Sequence, residues 1–192
     1  MSWSRRALVC LGALLSASWW DGQHRLLAAG GDYPAFGTRL VLKASLTDST
    51  RKSMTIVGRD PTIGVGDGNG SDDDPTMHGA SVTLLSPAFQ TNYNLPNTGW
   101  TTIGVPGGNR GYVYRSHTGG DPIRKVVVKD GKLRVVGRSG LLEHVIFTDP
   151  NPVDVIFSLG ARHSCLRFGG AAIFSGGVLY LARDAPAPDA CP

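Results

Sequence analysis

Lys125-Val126-Val127-Val128-Lys129-Asp130-Gly131-Lys132-Leu133-Arg134-Val135-Val136 is the stretch that decides the fold. Two β-branched runs flank a dipeptide whose members both tolerate positive φ. That pattern reads as a β-hairpin with a two-residue loop. Outward from it, apolar residues recur with period two rather than 3.6, the signature of strands half-buried in a sheet.

Upstream, Thr38–Ala44 and Ser53–Gly58 read as paired strands joined by the polar residues 47–51. Residues 60–79 read as a long loop rich in Gly, Asp and Pro. Ala80–Leu85 reads as a strand, and so do Trp100–Ile103 and Gly111–Arg115, with the turn-forming Pro106-Gly107-Gly108-Asn109 between the last two. Downstream, Val153–Leu159 and Ser164–Phe168 read as a hairpin across Gly160-Ala161-Arg162. Ala172–Phe174 and Val178–Leu181 read as another, turning at Gly176-Gly177. Leu141–Ile146 is open to one helical turn. Nine or ten short strands without intervening helices predict one all-β domain, an antiparallel β-sandwich or barrel, over residues 37–192.

Composition agrees. The chain of 192 residues holds 26 Gly and 12 Pro, and Glu143 is its only Glu. Few of the good helix formers Lys and Glu are present.

The N-terminus predicts export. Arg5-Arg6 precede the apolar run Ala7–Leu15, and small residues follow at Ser16-Ala17-Ser18. This charge, apolar, small-residue order is that of a signal peptide over residues 1–18, cut before Trp19. The run falls short of the roughly 20 apolar residues that span a bilayer, and no second long one follows. Residues 19–36 read as a lead-in segment, and the expected location is secreted or periplasmic. Cleavage leaves 17 basic against 15 acidic side chains. No basic stripe stands out along the sequence, so nucleic acid is not an expected partner.

After cleavage two cysteines remain, Cys165 and Cys191. An even pair in an oxidising compartment reads most simply as a disulfide that fastens the tail Ala185–Pro192. A catalytic thiol is the rival reading, because His163 and Cys165 would share one face of a strand.

Three constellations bear on function. In Gly64–Asp74, oxygen side chains alternate at Asp67, Asn69, Ser71 and Asp73, similar to the first half of a calcium loop. The position where an EF-hand has Glu is His78, so the alternative is a solvated turn rich in Asp. Tyr93, Trp100, Tyr112 and Tyr114 would stack on sugar rings if exposed, or else fill the core. The histidines His24, His78, His117, His144 and His163 lack metal-ligand spacing. Ser139 lacks the flanks of a nucleophile elbow, and Glu143-His144 is an isolated pair.

Cys165-Leu166-Arg167-Phe168-Gly169-Gly170 with the ending Ala185-Pro186-Ala187-Pro188-Asp189-Ala190-Cys191-Pro192 resembles a group of secreted β-rich bacterial modules. Asp67–Ser71, Asp74–Gly79 and Val126–Lys129 are similar too. The resemblance spans roughly residues 37–192. It implies placement outside the cytoplasm, the Cys165–Cys191 pairing and an accessory role within larger secreted chains. The expected function is therefore a non-catalytic module that binds an extracellular partner or glycan, or is structural, with calcium in the acidic loop. The alternative is a carbohydrate-binding domain or hydrolase acting on polysaccharide.

Overall fold

The computed structural model describes residues 31–105 and 109–192. The signal peptide, most of the lead-in, His24 and the turn at Pro106-Gly107-Gly108 lie outside the described residues. Thirteen strands form two sheets. In chain order they are β1 (Gly31–Pro34), β2 (Gly37–Lys43), β3 (Ser53–Gly58), β4 (Ala80–Leu85), β5 (Gln90–Leu95), β6 (Trp100–Thr102) and β7 (Tyr112–Arg115). Then come β8 (Ile123–Lys129), β9 (Lys132–Arg138), β10 (Val153–Leu159), β11 (Arg162–Phe168), β12 (Ala172–Ser175) and β13 (Leu179–Ala185). One helical turn, α1 (Pro75–His78), precedes β4.

The smaller sheet runs β1-β11-β10-β4-β5 and the larger β12-β13-β2-β3-β9-β8-β7-β6. They pack face to face as a sandwich, and neither closes into a barrel. All neighbours are antiparallel except β1 and β11, which run parallel. β1 comes from the lead-in segment. With β5 it accounts for strands that the sequence pattern does not announce.

Register explains the core. Ala182, Leu40, Ile56, Val135, Val126 and Tyr114 stand side by side across six strands of the larger sheet, and all point inward. Leu166, Val155 and Leu84 form a matching inward row on the smaller sheet. A slip of one residue in any strand would send such a row to solvent, so burial fixes the register.

The decisive hairpin forms as read, with Lys129 opposite Lys132. Only Gly131 takes positive φ, however, at 73°, and Asp130 does not. A single left-handed position suffices to close this loop. Leu141–Ile146, open to one helical turn on sequence, does not form one. This segment is extended, burying Leu142, His144 and Ile146 in alternation. Side chains satisfy its backbone in place of a strand ladder: Lys52 Nζ donates to the Leu142 carbonyl at 2.8 Å, and the Glu143 amide donates to Tyr93 Oη at 3.0 Å.

Candidate functional site

The acidic loop between β3 and β4 is built by tight backbone turns. Gly66 has φ 68° and its Cα lies against Asp73; a Cβ there would stand 2.4 Å from Asp73 Oδ2. Gly160, with φ 53°, faces the same carboxylate from the β10–β11 turn. These glycines let two chain segments close over Asp73, which is 2% exposed.

The four predicted ligands do not behave alike. Asp67 and Asn69 are exposed. Ser71 Oγ donates to the Gly68 carbonyl at 2.7 Å and accepts from the Asp73 amide at 3.3 Å. Asp73 is buried, and no donor meets either of its carboxylate oxygens in full hydrogen-bond geometry. Burial raises its pKa, and the neighbouring Asp67 charge adds to the rise. The Arg162 guanidinium opposes it, as do the amides of Asp67 and Ala161, which lie close but outside full hydrogen-bond geometry.

Asp74 has a different task. It caps α1, accepting from the Thr76 amide at 2.9 Å, the Thr76 hydroxyl at 2.7 Å and the Gly70 amide at 2.7 Å. A carboxylate at a helix N-cap satisfies otherwise orphaned amides. Burial works against the charge, but these donors outweigh it and lower the pKa.

The fold adds two oxygens here that sequence spacing could not supply. Asn109 packs against Gly68, its Nδ2 donating to the Gly66 carbonyl at 3.4 Å, and its Oδ1 is buried without a partner. The Tyr112 hydroxyl is likewise buried and unpartnered. Burial pushes its pKa up to about 12, with the Asp74 and Asp73 charges contributing. Among the described residues no three His, Cys, Asp or Glu side chains are grouped to hold a metal. A cation at Asp73 would therefore draw on amide, hydroxyl and backbone oxygens, a donor set that suits calcium rather than zinc.

Of the two readings of the aromatics, the structure takes the core one. Tyr93, Trp100, Tyr112 and Tyr114 all lie in the core, where Trp100 and Tyr114 pack at 5.4 Å between ring centroids. None offers an open ring face to a sugar. The expected disulfide is present between Cys165 and Cys191, which removes the rival thiol. His163 does share the outward face with Cys165, but its Nδ1 pairs with Asp32 Oδ1 at 2.9 Å. His144 is buried, with Nε2 at 3.0 Å from the Lys43 carbonyl. Ser139 Oγ donates to the Gly120 carbonyl and accepts from the Leu141 amide, as a turn residue does. Glu143 accepts from the Thr91 hydroxyl at 2.7 Å.

No basic stripe stands out along the sequence, but the register gathers separated cations on one face. Arg39 on β2 lies opposite Arg183 on β13, Lys125 on β8 opposite Arg115 on β7, and Lys129 opposite Lys132. All six face outward from the larger sheet. Cations spaced along separate strands are summed by strand pairing into one surface.

The fold and these contacts define a β-sandwich with a disulfide-fastened tail. No protein-family model matches the chain, and no curated protein or solved structure matches it either. No helix among the described residues is long and apolar enough to cross a membrane.

Proposed function

We propose that this chain is an extracytoplasmic, non-catalytic β-sandwich module with a binding or structural role at a bacterial surface or in the periplasm, its acidic loop braced by calcium. The observation that carries the calcium reading is the buried Asp73 carboxylate, which no donor meets in full hydrogen-bond geometry; Asn109 Oδ1, packed against Gly68 of the same loop, and the Tyr112 hydroxyl, which feels the Asp73 charge, are buried without partners too. A buried carboxylate short of donors costs stability unless charge balances it, and here the Arg162 guanidinium and nearby amides do not outweigh burial. Asp67, exposed at the loop's edge, supplies the second charge. Asn69 is solvated and Ser71 is tied to backbone, so the donor set shifts from the alternating pattern towards Asp73, Asp67 and Asn109.

A thermal melt with excess calcium and with a chelator tests this. A ligand that binds only the folded state at about 100 times its dissociation constant adds roughly 2.7 kcal/mol. The melting temperature should rise with calcium, and Asp73→Asn should abolish the rise while Asn69→Ala leaves it. Equal melts with calcium and chelator would remove the calcium brace. Placement is tested separately by fractionating the producing cell: recovery of the uncleaved chain in the cytoplasm would sink the export reading.

A further inference from the structure

The two outward faces of the sandwich handle charge in opposite ways. On the smaller sheet, outward acidic side chains meet basic or imidazole partners across strands. Asp32 faces His163, and Asp154 faces Arg167 with contacts of 2.7 and 3.0 Å. The C-terminal tail also covers part of this face, through the disulfide at Cys165, which is fully buried.

On the larger sheet, three cross-strand pairs are like-charged and none is opposite. Like charges directly opposite destabilise a sheet. None of these cations makes a salt bridge among the described residues. The chain therefore places charges favourably on one face and unfavourably on the other.

The cationic side chains converge. A shallow depression of about 970 Å³ lies across β13, β2, β3, β9 and β8. Seven of its fourteen lining residues are Arg or Lys, and Asp184 is the only acidic one. Along its middle row Arg183, Arg39, Val57, Arg134 and Val127 stand on successive strands. Strands about 4.8 Å apart put Arg39 and Arg134 about 10 Å apart along that row. Val136 lies in the next row, beside Lys125.

We infer that this face binds a linear anionic polysaccharide, bearing carboxylate or sulfate groups, laid across the strands along the Arg183–Arg39–Arg134 row. Guanidinium groups take such anions with two parallel hydrogen bonds. The valines between them give sugar C–H surfaces an apolar floor. A concave depression suits a single chain better than a planar bilayer. The outward positions of these five strands carry no aromatic side chain, whereas single-stranded nucleic acid is held by stacking its bases on aromatics. The preference for a polysaccharide also rests on the extracytoplasmic reading, but not on the calcium site.

Binding is measured by affinity electrophoresis and calorimetry with polygalacturonate, dextran sulfate and neutral dextran. A single-stranded oligonucleotide and anionic phospholipid vesicles serve as competitors. The purified protein should bind one of the two anionic polymers, with affinity falling as salt rises. It should ignore neutral dextran. Arg39→Ser/Arg134→Ser should weaken binding about tenfold or more, with the melting temperature unchanged or raised. No binding to either polymer, or equal binding by the double variant, overturns the inference. Tighter binding of the oligonucleotide or the vesicles overturns the ligand class, and cell fractionation then shows whether the export reading falls with it.

Discussion

His144 and Asp73 are buried titratable groups that answer pH with opposite sign. The Lys43 carbonyl can only accept, so His144 Nε2 carries the proton, and Nδ1 is left buried without a partner. Burial lowers its pKa below 6.5; the Lys43 hydrogen bond opposes this, and the Lys52 ammonium adds to it. The unfolded chain takes up a proton near 6.5 while the folded chain resists. Stability from this group is thus complete above 6.5 and is lost as pH falls from there through the folded value. Urea titrations at a series of pH values should show that loss, and His144→Gln should lack it; an unchanged slope in the variant would sink the assignment. Asp73 works the other way. Its raised pKa means the folded chain holds a proton that the unfolded chain has released. In chelator, stability therefore falls as pH rises above the unfolded value of about 3.8. Near neutral pH without calcium, Asp73→Asn should stabilise by about 1 kcal/mol or more, the cost of an unsatisfied buried charge. With calcium the order should reverse. A variant less stable in both conditions would mean that Arg162 and the neighbouring amides already satisfy the carboxylate.

At the scale of elements, the β8–β9 hairpin was legible and the surface it helps to build was not. Asp130-Gly131 between alternating valines announces a turn locally, and Val126, Val128, Leu133 and Val135 are buried as that alternation requires. β5 has the same alternation, with Thr91, Tyr93 and Leu95 inward, but its outward residues Gln90, Asn92 and Asn94 have low strand propensity and hide it. The cationic face was hidden for another reason. Arg39, Arg134 and Arg183 are far apart in sequence, and only the ladder brings them into one row. The acidic loop was half legible: Asp73 lies within the spaced oxygens, but Asn109 and Tyr112 come from another connection and strand. The like-charge pairs also predict a trade-off. Lys132→Glu turns the Lys129–Lys132 repulsion into attraction and should stabilise by roughly 0.2 to 1 kcal/mol at low salt. Near 1 M salt, where the screening length is about 3 Å, the gain should fade. Because Lys132 lines the depression, the same change should weaken polyanion binding. Denaturant titration with and without salt reads the first effect; a variant no more stable at low salt would mean that repulsion on this face costs nothing.

At the scale of the whole molecule, the disulfide sets the two faces apart. β13 belongs to the larger sheet, but its continuation crosses to the smaller one, where Cys191 joins Cys165 on the outward side of β11. Pro188 is buried on the way, and the Asp189 charge is felt at Arg167 beside Asp154. One covalent link thus ties the layers together and covers part of one face, while the opposite face keeps its cations open. The link closes 26 residues, worth about 3.5 kcal/mol in the chain-entropy model. For a domain of this size Cys165→Ala/Cys191→Ala should lower the melting temperature by roughly ten degrees. Polyanion affinity, measured well below that temperature, should stay unchanged, because no residue of the tail beyond Asp184 lines the depression. Affinity and melting temperature falling together, at a temperature where circular dichroism still reports the native sheet, would show that the tail supports the cationic face and that the faces are not independent. Loss of stability alone would establish the tail as a clasp on one layer and leave the other layer to bind.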